Sequence, residues 1–369
     1  MIRLEHVTKV YDIKPAVDDL SLNVEKGEVC ILIGPSGCGK TTTLRLINRL
    51  VEPTSGKIWV NDEDTSTLKP EILRRSIGYA IQNVGLFPHM NVSANIAVVP
   101  GLLGWEKARI SRRVHELLDL VGLDPSVYSQ KYPAQLSGGE AQRIGVARAL
   151  AADPPVLLMD EPFGAVDPLT RQRLQGWFIS LQQRLKKTII LVTHDLDEAI
   201  RLADKIAIMR AGKLVQYDVP ETILSKPVNM FVHDFVGVDR ALKRLSRVAV
   251  KRFTRQAPFV TQKSSKEDVL SAIEHRRSVW VLDEERHPVG WIDRANMSNE
   301  FSIKNITFYA DPYEMSVTTN DTLRDALSKM LGLGFRSIPV VDENGRFAGE
   351  ITLADIEAAT SEMENSDHG

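Results

Sequence analysis

Cysteine is nearly absent from this chain: Cys30 and Cys38 are the only two among 369 residues. Two are too few for a disulfide framework or for a metal site built on thiolates. Long apolar runs are missing too, and no stretch approaches the ~18 consecutive apolar residues of a membrane span. The formal net charge is only −2, so no overall basic field draws the chain to nucleic acid and no such partner is expected. The start, Met1-Ile2-Arg3-Leu4-Glu5-His6, shows neither an apolar signal core nor a lipidation motif. With 43% hydrophobic and 25% charged residues, the remaining composition suits full hydrophobic cores and excludes disorder. The length suggests about two or three domains. A cytosolic multidomain protein is expected.

The first half reads as α/β. Short apolar runs recur at Val29–Ile33, Val156–Met159, Thr188–Val192 and Lys205–Met209, as strands buried on both faces of a parallel sheet do. Helical periodicity lies between them, near Lys107–Val121, Glu140–Ala151 and Leu169–Leu185. Residues Val17–Val24 alternate instead, which predicts half-exposed antiparallel strands.

Composition shifts after Val238. From Lys243 to Lys263 there are seven basic residues and no acidic one, which reads as a linker or the entry to a second domain. Such a run offers a surface to anionic lipid headgroups, with a solvated linker as the equal alternative. An internal repeat follows. Arg277-Ser278-Val279-Trp280-Val281-Leu282-Asp283-Glu284 aligns with Arg336-Ser337-Ile338-Pro339-Val340-Val341-Asp342-Glu343, an offset of 59 residues (336 minus 277). Each copy offers a helix, a strand, a turn and a second strand, and Asp342-Glu343-Asn344-Gly345 is a hairpin turn signal. The polar residues from Ser361 onward read as a frayed tail.

Gly34-Pro35-Ser36-Gly37-Cys38-Gly39-Lys40-Thr41 fits G-x-x-x-x-G-K-[ST] between a strand and the helical stretch that begins at Thr42. Backbone amides of such a loop close around phosphates at a helix N-terminus, where free donors and the helix dipole both favour an anion. Lys40 is expected to reach the β- and γ-phosphates, and the Thr41 hydroxyl to ligate Mg²⁺. Cys38, inside the loop, is expected to be accessible to alkylation. Val156-Leu157-Leu158-Met159-Asp160-Glu161 places Asp160 at the end of a buried strand beside the metal, with Glu161 able to polarise the attacking water. Leu136-Ser137-Gly138-Gly139-Glu140 opens a helix and presents a second set of amides to an anion.

These last residues strongly resemble the signature loop of ABC-type ATPases, with Glu140 where that family more often has Gln. Tyr11, Gln82, Gly164-Ala165-Val166-Asp167 and His194 follow the family order. The resemblance implies a P-loop NTPase cassette, with a parallel sheet core and antiparallel and helical subdomains. It implies two cassettes meeting head to tail, each ATP sandwiched between the phosphate loop (Gly34 to Thr42) of one copy and Ser137-Gly138-Gly139 of the other. Tyr11 would stack on adenine, Gln82 would contact Mg²⁺ and the water, and His194 would hold the γ-phosphate. Asp167 would touch the opposite site.

The repeat resembles a tandem pair of α/β CBS modules. Gly349-Glu350-Ile351-Thr352-Leu353-Ala354-Asp355 keeps the Thr and Asp that hold a nucleotide's ribose and phosphate in such modules, whereas Asp293 replaces the Thr in the first copy. An adenine nucleotide is therefore expected only in the second, with a structural pair that holds no ligand as the near-equal alternative. Trp280 and Trp291 fall at strand positions and read as core rather than as an aromatic cage for a quaternary ammonium ion. The expected division is 1–238 for the cassette, 239–263 for a basic linker, 264–308 and 309–361 for the CBS modules and 362–369 for the tail.

Translation factors of this type carry two cassettes, and repair proteins split theirs with coiled coil; this chain does neither. The segment from Gln82 to His89 looks like the Q-loop of importer ATPases. Together with Ile47-Asn48-Arg49-Leu50, it makes the whole chain similar to the ATP-binding subunits of glycine betaine, carnitine or choline importers. That resemblance implies two membrane permease partners, an extracytoplasmic binding protein and a peripheral place on the cytoplasmic face of the inner membrane. An importer of another small solute, or a nucleotide-regulated ATPase with no membrane partner, is the alternative.

Overall fold

A computed structural model describes residues 1–81, 85–164, 166–237, 239–297 and 302–365. It divides into two compact units, Met1–Val236 and Gly237–Gly369.

The first unit is built on two sheets. Strands β1 (Ile2–Tyr11), β2 (Lys14–Val24), β3 (Val29–Ile33), β4 (Ser55–Val60), β5 (Glu63–Asp64), β6 (Ile77–Ala80), β7 (Val156–Asp160), β8 (Thr188–Val192), β9 (Lys205–Arg210) and β10 (Lys213–Asp218) follow in chain order. An antiparallel sheet runs β2-β1-β4-β5, and a six-stranded sheet runs β10-β9-β3-β8-β7-β6. Within the larger sheet β9, β3, β8, β7 and β6 are mutually parallel, and only β10 is antiparallel. Alternate residues of each central strand enter different cores, because side chains in a strand point to opposite faces. Val29, Ile31 and Ile33 pack with helices on one side, while Cys30 and Leu32 pack with the antiparallel sheet on the other. In β2, Val17, Leu20, Leu22 and Val24 are buried, while Asp19, Ser21 and Asn23 are exposed. The three expected helices run Lys107–Leu120, Gly138–Leu150 and Pro168–Leu185.

In the second unit β11 (Phe259–Thr261), β12 (Ser278–Leu282), β13 (Pro288–Asp293) and β14 (Thr307–Tyr309) form one sheet. A second sheet joins β15 (Val317–Thr318), β16 (Ser337–Val341) and β17 (Phe347–Thr352). The repeat is visible in the register: Val281 pairs with Gly290 as Val340 pairs with Gly349, and each pairing is followed by a register shift. The β16–β17 turn closes through Gly345 at φ 78°, a conformation that glycine adopts without strain.

Residues 239–263 differ from the expected linker. Leu245, Val250, Ala257 and Val260 are core residues of the second unit. Nor is the charge of this run free. Lys243, Arg252, Arg255 and Lys263 pair with Asp239, Glu362, Asp355 and Glu284. The linker pattern misleads because the apolar residues come in short groups, Val248-Ala249-Val250 and Ala257 to Val260, between cations, too short to show a period. The terminal helix Leu353–Asn365 also extends past the expected start of the tail.

Candidate functional site

The phosphate loop leaves β3 and turns into the helix Lys40–Ile47. Two of its glycines are forced by close approach. A Cβ on Gly34 would lie 2.1 Å from the Met209 carbonyl oxygen, and one on Gly39 2.3 Å from that of Ala16. Both residues have positive φ, 152° and 105°. Gly39 caps the helix without a side-chain acceptor, so the amides of the first turn are left for an external anion. Lys40 is buried at 8% exposure, and its Nζ donates to the carbonyls of Gly34 at 2.7 Å and Pro35 at 3.2 Å. The ammonium is thereby held across the loop formed by Pro35, Ser36, Gly37 and Cys38. Cys38 is buried at 3% exposure, against the expected accessibility. Gly34 packs so closely that its missing Cβ would be 2.9 Å from the thiol sulfur.

Asp160 ends β7, and its Oδ1 accepts from the Thr41 hydroxyl at 3.1 Å. Burial raises the Asp160 pKa; the Thr41 hydrogen bond opposes that effect, and neighbouring Glu161 adds to it. An alcohol and a partly desolvated carboxylate, side by side beyond a phosphate loop, are the oxygen donors Mg²⁺ prefers. Thr42 follows on the same helix. Glu161 takes a left-handed backbone, φ 46°, with its amide donating to Val192 O at 2.9 Å. That strained turn sends its carboxylate to His194, whose Nδ1 lies 3.4 Å from Glu161 Oε1. The structure thus brings together two residues 33 positions apart (194 minus 161), at the ends of adjacent strands β7 and β8.

Tyr11 is 45% exposed at the end of β1, with Lys9 Nζ 5.1 Å from its ring centre. Gln82 and Ala165 lie outside the described residues. Ser137 caps the helix Gly138–Leu150 in a reciprocal box. Its hydroxyl accepts from Glu140 N at 3.3 Å, while its own amide donates to Glu140 Oε2 at 2.7 Å. Gly139 is tight as well, since a Cβ there would meet Thr170 at 2.8 Å. The Tyr128 hydroxyl donates to the other oxygen, Glu140 Oε1, at 2.6 Å. These contacts hold the Glu140 carboxyl below its ordinary pKa, the Tyr128 bond most of all. Asp167 caps the helix Pro168–Leu185, accepting from Thr170 N at 3.0 Å.

Two features escaped the sequence reading. Asn95 is fully buried and fastens the turn after Gln82, accepting from Phe87 N at 2.8 Å and donating to the carbonyls of Phe87, Met90 and Asn91. Ser137-x-x-Glu140 is a capping-box signal that the pattern alone carries.

The second unit holds a cleft of about 640 Å³, whose lining includes Arg276, Arg336, Trp291, Phe335 and Thr352. Trp280 also lines it, is 3% exposed and donates from Nε1 to Glu350 Oε2 at 3.0 Å. Trp291 is half-buried rather than core, stacked on Phe308 and edge-on to Phe335. Asp355, expected beside Thr352 at a ligand, is instead 1% exposed; it accepts from the Thr352 amide and hydroxyl and pairs with Arg255.

A strand–loop–helix phosphate cradle backed by Thr41 and Asp160, on a parallel sheet, defines a P-loop nucleotide-binding protein. The ABC transporter family model matches residues 17–164, and the CBS domain model residues 308–362. The osmoprotectant import ATP-binding protein OsmV of Salmonella typhimurium is 47% identical over 362 residues, covering 95% of this chain and 94% of that protein. The glycine betaine/carnitine/choline transport ATP-binding protein OpuCA of Bacillus subtilis is 44% identical over 366 residues, 96% and 95% of the two chains. Among solved structures, a dimeric ATP-binding cassette in a post-hydrolysis state with ADP and Pi superposes with a TM-score of 0.54 at 31% identity, covering 60% of this chain and 99% of that one. This chain belongs to the ATP-binding subunits of ABC import systems and carries a C-terminal CBS domain. Among the described residues no helix is long and apolar enough to cross a membrane.

Proposed function

We propose that this chain hydrolyses ATP to drive import of a quaternary ammonium osmoprotectant, glycine betaine, choline or carnitine. It would do so as a pair of cassettes under two permease subunits on the cytoplasmic face, supplied by an extracytoplasmic binding protein. The supporting observation is an end-to-end likeness to import ATP-binding proteins, in a chain whose phosphate loop and Glu161–His194 pair lie at the carboxyl ends of the adjacent parallel strands β3, β8 and β7.

In this reading the loop amides and Lys40 hold the phosphates, and Tyr11 lies against the adenine. Thr41 and Asp160, joined by Gln82 as the family resemblance implies, would hold Mg²⁺, which would supply charge neutralisation at the phosphate oxygens. The Glu161 carboxylate accepts a hydrogen bond from the attacking water and orients it. His194, kept in place by Glu161 at Nδ1, offers its other ring nitrogen to the γ-phosphate. Ser137, Gly138 and Gly139 of the second cassette close the far side of the nucleotide, with Asp167 beside them. The cleft lined by Arg276 and Trp291 of the first repeat and by Arg336 and Thr352 of the second offers cations and an aromatic face to an adenine nucleotide, the proposed regulator.

The test is uptake by proteoliposomes that contain the chain with its permease and are supplied with the binding protein outside. Labelled glycine betaine, choline or carnitine should accumulate with ATP inside, and not with a Glu161→Gln chain. ATP hydrolysis without uptake of any of the three would refute the assignment.

A further inference from the structure

Behind the Glu161–His194 pair lies a polar cluster that the nucleotide chemistry leaves unused. Arg171 sits in the first turns of the helix Pro168–Leu185 and reaches in two directions. Its Nη1 is 3.6 Å from Asp195 Oδ2, and its Nη2 donates to the Val166 carbonyl at 3.5 Å. Asp195 follows His194 directly and caps the helix Leu196–Leu202, accepting from Glu198 N at 3.1 Å. Val166 directly precedes Asp167, the cap of the arginine's own helix. One guanidinium therefore joins the two loops that carry His194 and Asp167. Side-chain exposures of 29% for Arg171 and 32% for Asp195 mean that solvent weakens the pair less than a fully exposed one.

We propose that Arg171 is a positioning residue that locks the His194 loop to the Asp167 loop, so that each subunit's contact with its own γ-phosphate and its contact with the opposite site move together. This rests on the sandwich reading above. Two loops that face different nucleotides in the sandwich and share one guanidinium are a physical route for coupling between sites.

The surroundings favour this pairing. Glu198, the other carboxyl of the cluster, is 4% exposed. Burial first, and then Asp195, push its pKa up to about 8. Near neutral pH it is mostly protonated and leaves the arginine's charge to Asp195. Arg171 Nε and Glu198 Oε1 are both buried without a hydrogen-bond partner, so the cluster has spare donor and acceptor capacity for a rearrangement when the loops move.

The experiment uses the full-length chain, with steady-state ATP hydrolysis and melting temperature as readouts. Arg171→Ala should lower kcat by about tenfold and drive the Hill coefficient toward 1, with KM changed less than about twofold. Arg171→Lys, which keeps the charge but not the fork, should restore only part of the rate. Asp195→Asn keeps a helix-capping side chain and removes the charge. It should match Arg171→Ala, and the double variant should be no slower than either single one. Glu198→Gln should leave kcat near neutral pH unchanged. Wild-type kcat and cooperativity in Arg171→Ala would overturn the proposal, as would single effects that simply multiply, or a fall in rate that only tracks a lost melting temperature. ATP-driven dimerisation of a Glu161→Gln chain separates the two levels. If that chain dimerises and Arg171→Ala leaves cooperativity intact, the coupling alone falls; if it never dimerises, the sandwich reading falls and the coupling with it.

Discussion

Lys40 is held over the phosphate loop by two backbone carbonyls, and in the proposed reading its charge meets the phosphates. Removing a charged donor of this kind costs about 1.5–3 kcal/mol. Lys40→Ala should therefore weaken ATP binding by roughly tenfold or more, as measured by titration with a fluorescent nucleotide. Glu161→Gln should behave oppositely, with ATP affinity kept and turnover reduced by about 100-fold or more, the range set by loss of a general base. Glu198 gives a pH effect of defined sign. Its carboxyl is raised to about 8 from an ordinary value of 4.5, so between those values the folded chain holds a proton that the unfolded chain has lost. Its contribution to stability is full below the unfolded value and is lost as pH climbs through the folded one, by at most about 1.4 kcal/mol per pH unit. Melting curves of Glu198→Gln should fall less steeply than wild type from pH 5 to 8. Parallel curves would remove this residue from the pH dependence.

At the level of elements, the strands were readable because four short apolar runs have alternate residues feeding two cores. The phosphate loop was readable because its glycines answer backbone contacts that a motif captures. Asn95 was not, since a lone Asn in an otherwise apolar helix reads as solvated. Its partners are backbone atoms of a turn that only the tertiary fold brings close. Asn95→Ala would leave Phe87 N without that acceptor, a loss of about 1–3 kcal/mol, seen as a lower denaturant midpoint and faster amide exchange at Phe87. An unchanged midpoint would show that water replaces the side chain. The buried Cys38 and half-buried Trp291 were misread for the same reason: residue type and strand position do not report which neighbours cover a side chain. Glu140 illustrates the converse. It departs from the usual Gln of the signature loop, yet the chain supplies Tyr128 and the Ser137 amide for both of its oxygens.

Over the whole molecule, the two units carry separate hydrophobic clusters. The supposed basic linker contributes to those of the second unit, so a truncation for study of the cassette belongs near residue 237 rather than 263. Cutting at 263 would strand Leu245, Val250 and Val260 outside their core. The proposed two-copy nucleotide sandwich, on which the proposed coupling through Arg171 rests, is most directly tested by the mass in solution of the full-length Glu161→Gln chain. With ATP and Mg²⁺ it should pass from monomer to dimer, and it should remain a monomer when Lys40→Ala is added. A chain that binds ATP tightly and stays monomeric at every concentration would contradict the sandwich.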